Sequence, residues 1–399
     1  MSAALAESYA TPALLPSQST IGPSMVRLDP PLTPAPPYYF GNRILARLGP
    51  LVKQVAPDRV FLVSTPILLG LYEEEIRASL ERAGLSVETI AIEDGEGNKT
   101  FQTLERLCET LVEKGVSKAS LIIGFGGGCL TNIAGLSAAL IFRGIHYVEM
   151  PTTLMGITDS CLSNKQAVNG IHGKNHFGTY YAPVFLFGDT HFLSTEPLGS
   201  KKAAMAEGIK NGLISDPSLV DFFEAALSRP VGELDELDIH ELAYRMILSK
   251  FKILARDPSE KHYAIILEYG HTFGHAIEFL MHGRIPHGFA VSRGMCIAAE
   301  LAHRLGHISR SVVDLHYHLF GDLLGLDLSL PQDLEVDQIL DAINSDNKKT
   351  TGGTKYVLLR QIGECLNPDG DYQVFVDPSI VRSVLIAYKE RFERQHAAV

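Results

Sequence analysis

The 399-residue chain lacks any apolar run approaching the about 18–20 residues that cross a bilayer. It also lacks the basic-then-apolar start of a secretory leader. Both absences argue against a membrane span and lead to the expectation of a cytoplasmic protein. Positive charge is scarce: 35 Lys and Arg face 46 Asp and Glu, a formal net charge of −11, and no dense basic stripe occurs. A nucleic-acid partner is thereby excluded, and any phosphate-binding groups must be few and local. Cysteine is sparse and odd in number: Cys108, Cys129, Cys161, Cys296 and Cys365 show neither zinc-finger spacing nor a disulfide framework. That pattern suits a reducing compartment. Internal repeats and coiled-coil heptads are absent too.

What is present is the 46% hydrophobic content of a globular protein, long enough for two domains. Residues 1–37, which include Pro30, Pro31, Pro34, Pro36 and Pro37, show no periodicity and read as a disordered arm. From there strand-like runs at 59–64, 87–92, 119–123 and 146–150 alternate with helical stretches at 69–83, 100–113 and a segment ending near Phe142. Such alternation predicts a parallel, doubly wound sheet. After Pro197 the texture becomes helical, over 200–214, 239–255, 265–281 and 290–305. The predicted division is an arm at 1–37, an α/β domain at 38–198 and a helical domain at 199–399.

Four segments carry chemistry. Gly124-Phe125-Gly126-Gly127-Gly128 ends an apolar strand ahead of a helix, where bare backbone can approach a pyrophosphate at a helix N-terminus. A tight structural turn explains it equally, and the spacing departs from the dinucleotide fingerprint. Within a predicted helix, Glu207, Lys210 and Asn211 share one face, which also suits a solvated ion-paired surface. His271 and His275 stand four apart on one helical face, with His287 following; two imidazoles at that spacing plus a distant carboxylate form a common divalent-metal pattern. Asp159, Lys165, Lys174 and Asn175 lie in a Gly- and Asn-rich stretch, as surface charges or as a phosphorylated-substrate set. Spacing alone therefore points to a two-domain enzyme using a nucleotide, a metal and a phosphate, and leaves the reaction open.

Read in order, Gly126-Gly127-Gly128, Arg143-Gly144, Pro151-Thr152-Thr153-Leu154, Asp159-Ser160, Lys165, Gly173-Lys174-Asn175, Ala206-Glu207, Lys210, Gly270-His271-Thr272, Gly274-His275 and His287-Gly288 resemble the dehydroquinate synthase superfamily of sugar-phosphate cyclases, over about residues 40–390. The resemblance implies an N-terminal Rossmann-like NAD-binding α/β domain with a parallel sheet, a mainly α-helical metal-binding C-terminal domain, an active site in the cleft between them, and a homodimer. It implies metal ligation by Glu207, His271 and His287, and moves His275 to substrate phosphate and proton transfer. For NAD it implies Glu96, Lys99, Gly127, Gly128, Asn132, Thr152, Thr153, Lys174 and the turn from Phe192 to Thr195. Substrate and catalytic positions would be Asp159, Lys165, Asn175, Lys210, Lys250 and Lys348, with Arg143 directed at the partner subunit's phosphate. The implied reaction is transient oxidation by NAD, elimination of phosphate, reduction and intramolecular aldol closure, with zinc or cobalt as Lewis acid.

Within the superfamily, dehydroquinate synthases carry Arg and Asn where this chain has Ala264 and Glu268. Ala cannot supply bidentate carboxylate recognition and Glu repels a carboxylate, so a carboxylate-free sugar phosphate is favoured. Sedoheptulose 7-phosphate cyclases such as 2-epi-5-epi-valiolone synthase lose the second histidine of the His-Thr-x-x-His segment, which here is His275. The stretch from Asp159 to Asn169 and the segment Leu267-Glu268-Tyr269-Gly270-His271 are most similar to the 2-deoxy-scyllo-inosose synthase branch, which cyclises glucose 6-phosphate in aminoglycoside biosynthesis. There Glu268 would move a proton or hold a substrate hydroxyl. Lys349-Thr350-Thr351 departs from that branch and, with residues 356–363, is more similar to dehydroquinate synthase. Alternatives of other classes are an NAD- and metal-dependent polyol dehydrogenase, which has no need of the Lys165, Lys174, Asn175 and Lys210 set, and an inactive binding protein of this fold.

Overall fold

The computed structural model describes residues 18–20, 25–171, 173–345 and 354–397. The chain divides into two compact units: Met1–Pro151, Cys161–Asp189 and Lys250–Glu260 form the first, and Thr152–Ser160, Thr190–Ser249 and Lys261–Val399 form the second. This corrects the single predicted boundary at 198. Residues 152–160 belong to the second unit and 250–260 to the first, because compactness follows contacts and not chain order.

The first unit is built on an eight-stranded sheet. Its strands are β1 (Gln18–Thr20), β2 (Met25–Leu28), β3 (Tyr38–Gly41), β4 (Val60–Ser64), β5 (Val87–Ala91), β6 (Leu121–Gly126), β7 (His146–Pro151) and, after a separate hairpin of β8 (Lys165–Gly170) and β9 (Gly173–Tyr180), β10 (Phe185–Asp189). Spatial order is β1-β2-β3-β10-β7-β6-β4-β5; the pairs from β3 to β5 are parallel, and β1 and β2 add antiparallel at one edge. β4 and β6 are buried at every residue, as strands covered on both faces must be, which is why they read as unbroken apolar runs. The helices α1 (Leu48–Val55), α2 (Pro66–Arg82), α3 (Phe101–Glu113) and α4 (Gly128–Leu140) supply the cover. Thr65 and Thr100 cap α2 and α3 by accepting from Leu68 N and Thr103 N.

Two expectations change here. Of the 1–37 arm, residues 1–17 and 21–24 lie outside the described residues, but 25–28 is a strand with Met25 and Leu28 buried, held by pairing to β3. And the Gly- and Asn-rich stretch beyond Asp159 is a hairpin in which Lys165 pairs with Tyr180.

The second unit is mainly helical: α5 (Leu154–Thr158), α6 (Leu198–Ser215), α7 (Pro217–Ala226), most of α8 (Glu236–Arg256), α9 (His271–Leu280), α10 (His287–Arg304), α11 (Arg310–Tyr317), α12 (Val336–Ser345) and α13 (Pro378–Ala397), with two short antiparallel pairs between residues 355 and 375. The helix expected over 265–281 is broken. A 3-10 turn at Tyr263–Glu268 gives way to α9 at Gly270, whose φ of 78° lies in the left-handed region. A Cβ at Gly270 would stand 2.4 Å from Met295 Cγ, so α10 packs directly on bare backbone at the point where His271 begins the new helix. Among the described residues no helix is long and apolar enough to cross a membrane, and all five cysteines are free.

Candidate active site

In the first unit the strand order turns at the neighbouring β4 and β6, from which the chain proceeds to opposite sides of the sheet. Ligands of such sheets bind at the carboxyl ends of the strands at this kind of switch point. The glycine segment sits there: Gly127 is the N-cap of α4, and the amides of its first turn open at the end of β6. Two of the glycines serve packing. A Cβ at Gly124 would come within 2.9 Å of Ala134 Cβ, and one at Gly126 within 3.0 Å of Leu130 Cβ. The structural reading of these two glycines and the phosphate reading of Gly127 and Gly128 thus apply to different residues.

Beside this turn a polar network joins residues expected to serve NAD and the substrate separately. The Asn169 amide donates to Glu96 Oε1 at 2.7 Å, the Cys129 thiol donates to Oε2 at 3.2 Å, and Lys174 Nζ lies 3.8 Å from Oε2. Burial raises the Glu96 carboxyl, but Asn169, Lys174 and Cys129 outweigh it and hold it below the ordinary range. Lys99 Nζ donates to Asn175 Oδ1 at 2.6 Å, and the Asn175 backbone N–H donates to Asn169 Oδ1. Asn169 was not singled out from sequence; it ties both halves of the network together. Burial lowers the Lys99 ammonium and, with Glu96, pushes the Cys129 thiol up to about 12, so that thiol is a neutral donor. Asn132 lies half-buried on α4. Lys165 is outside this network: its Nζ is 2.6 Å from Glu260 Oε2. Arg143 is exposed in a turn at a φ of 67°, and Lys250 is buried.

In the second unit Thr152 is buried and Thr153 caps α5, accepting from Gly156 N, while Leu154 N donates to the buried Glu196. Asp159 closes that helix. Phe192 is buried, and the Thr195 hydroxyl donates to the Phe192 carbonyl. Lys348 lies outside the described residues.

The helical core of the second unit holds the densest chemistry. α6 carries Glu207 and Lys210 inward, with side chains each only 4% exposed, so the solvated-face reading of this segment fails. Glu207 Oε1 lies 3.6 Å from His271 Nε2 and 3.4 Å from His287 Nε2; Oε2 lies 2.5 Å from Lys210 Nζ. His275 joins them: one nitrogen of each of His271, His275 and His287 lies within 4.8 Å of the others. Both oxygens of Glu207 are buried without a properly angled hydrogen bond, an arrangement that is costly unless a cation completes it. Burial pushes the Glu207 carboxyl up, but Lys210, His271 and His287 carry it well below the ordinary carboxylate range. His271 is pushed down to about 3 by burial and by Lys210. For His287 burial opposes protonation, yet the facing carboxylates of Glu207 and Glu278 lift it to about 10. One carboxylate and converging imidazoles fit a divalent metal of the zinc or cobalt type. Glu268 adds negative potential at His271, and Ala264 is buried nearby in the same 3-10 turn. Glu278, 3.0 Å from His287 Nδ1, had no signal in the sequence beyond a carboxylate on a helix.

The comparisons with known proteins agree with this geometry. Models of the 3-dehydroquinate synthase N-terminal and C-terminal regions match residues 89–203 and 204–349. The chain is 36% identical over 354 residues to 2-deoxy-scyllo-inosose synthase of Streptomyces kanamyceticus, covering 88% of this chain and 90% of that protein. It is 34% identical to 3-dehydroquinate synthase of Methylococcus capsulatus, covering 88% and 96%. A crystal structure of 2-deoxy-scyllo-inosose synthase complexed with carbaglucose-6-phosphate, NAD+ and Co2+ superimposes with a TM-score of 0.83 at 29% identity, covering 92% of this chain and 99% of that one. The α/β sheet unit, the helical unit and the ordered motifs together establish that the chain belongs to the dehydroquinate synthase superfamily of sugar-phosphate cyclases.

Proposed function

We propose that the protein is a phosphate-eliminating sugar-phosphate cyclase that converts glucose 6-phosphate to 2-deoxy-scyllo-inosose, with NAD and one divalent metal, as a homodimer. The observation that carries this reading is the convergence of Glu207, His271 and His287, with Glu268 acting on His271 and Ala264 in the same turn as Glu268. That set fits a metal centre facing a neutral sugar ring, because nothing at 264 can clamp a carboxylate and Glu268 repels one. Similarity to relatives that carry the name 2-deoxy-scyllo-inosose synthase supports the same substrate.

Glu207, His271 and His287 are assigned as metal ligands. Glu96, Lys99, Gly127, Gly128, Asn132, Thr152, Thr153, Lys174, Phe192 and Thr195 are assigned to NAD. When bound, NAD supplies reversible hydride acceptance and the metal supplies Lewis acidity at the substrate oxygens. His275, whose ring centroid is 5.1 Å from that of His271 and 5.7 Å from that of His287, is assigned to the phosphate and to proton transfer. Glu268 takes a proton from, or holds, a ring hydroxyl. Lys165 and Lys210, with Asp159, Asn175, Lys250, Lys348 and Arg143, position the substrate and screen its phosphate charge.

The test is incubation with glucose 6-phosphate, zinc or cobalt and substoichiometric NAD+. The expected result is many equivalents of inorganic phosphate and a carbocyclic ketone, with no net NADH. Intact glucose 6-phosphate with consumption of sedoheptulose 7-phosphate would move the substrate assignment to another cyclase; stoichiometric NADH without phosphate would make the protein a dehydrogenase.

A further inference from the structure

His287 is the first residue of α10, and its two ring nitrogens face two different carboxylates. Nε2 lies 3.4 Å from Glu207 Oε1, and Nδ1 lies 3.0 Å from Glu278 Oε2. Between two carboxylates the metal-free ring is protonated on both nitrogens; a metal on the Glu207 side would take the place of the Nε2 proton and leave the neutral ring its one proton on Nδ1. With Nδ1–H donating to Glu278, the lone pair falls on Nε2, the nitrogen on the Glu207 side. His271 is fixed differently: its Nδ1 is 3.2 Å from the Tyr269 carbonyl oxygen, and its Nε2 faces Glu207 at 3.6 Å. One imidazole is thus oriented by a neutral backbone carbonyl and the other by a carboxylate.

Glu278 itself is only 8% exposed, on the α9 face that carries His271 one heptad earlier. Burying a carboxylate is costly unless it is paired, so a solvated-surface role does not account for it. Resting on the metal-site reading above, we infer that Glu278 is a positioning residue of the metal centre: it fixes the tautomer and ring orientation of His287 and adds negative charge behind that ligand. Carboxylates placed behind a ligating histidine raise its basicity and hold its lone pair on the metal.

The test is cobalt binding, followed by the absorption bands of the bound ion and by competition with a chelator, for the wild-type protein and for Glu278→Leu, Glu278→Gln and Glu207→Gln. Thermal melts of the metal-free forms check folding. Glu278→Leu should weaken cobalt binding by about 10–100-fold and change the band shape. Glu278→Gln keeps an amide oxygen that accepts from Nδ1–H and should recover most of that loss. If the Leu variant does not fold, Glu278→Asp, which withdraws the carboxylate by one methylene, should show the loss instead. Wild-type affinity and spectrum in all the folded Glu278 variants would overturn the inference while leaving the ligand reading intact, provided that Glu207→Gln loses the ion. A wild-type protein that takes up no cobalt would overturn both.

Discussion

Glu149, on β7 of the sheet unit, and Glu207, on α6 of the helical unit, are acids sealed from solvent to nearly the same degree, 1% and 3% exposed. Their acidities diverge. Burial lifts Glu149 to about 7, and the neighbouring Thr131 and Gln166 side chains offset only part of that rise. Burial also lifts Glu207, but one ammonium and two imidazoles reverse the outcome. Depth alone therefore does not make a site. The neighbours of the acid decide, and among the described residues an ammonium and imidazoles surround Glu207, whereas Glu149 meets only neutral side chains.

The comparison breaks most visibly if Glu207 is neutralised. Glu207→Gln should release the metal and slow phosphate release from glucose 6-phosphate by more than about 100-fold, measured by metal content and a phosphate assay. Equal turnover would show that Glu207 is no more than another buried acid. Next in size is Gly270→Ala: a side chain there is strained at φ 78° and meets Met295 backbone N at 2.7 Å, so folding stability should fall by about 3 kcal/mol in denaturant unfolding. A silent Gly270→Ala would mean that the break before His271 is not fixed by packing.

Glu149 sharpens the other side. Its folded pKa of about 7 stands above the ordinary 4.5, so its contribution is fully present below pH 4.5 and is lost as pH rises to about 7. Glu149→Gln cannot ionise. It should gain up to about 3 kcal/mol on the wild-type protein at pH 8, and that gain should vanish near pH 4.5 in paired unfolding curves. A gain independent of pH would mean that Glu149 is not held near neutrality in the folded state.

How far these regions were legible in the sequence follows from which forces act locally. β4 and β7 were visible as apolar runs, but β6 extends to Gly126, past its predicted end at 123, because the glycines read as a turn are strand residues lying under α4. β3 was missed because four residues beside a proline cluster carry no period; pairing with β10 creates it. The same holds for β8 and β9, whose hairpin resides in mutual hydrogen bonds and not in composition. The four-residue spacing of His271 and His275 announced a shared face. Glu278 stayed hidden, since a carboxylate on a helix reads as solvated until α10 is seen to bring His287 against it. Resemblance supplied the roles that spacing could not, including the separation of His275 from the ligands, although the geometry places all three imidazoles within reach of one point.

That separation is the claim most exposed to test. The decisive measurement is the bound metal in purified His287→Ala and His275→Ala, with circular dichroism confirming the fold of each. His287→Ala should be empty and His275→Ala should keep one equivalent of metal with impaired turnover; loss of metal from both, or retention by His287→Ala, would show that the two histidines are not divided in this way.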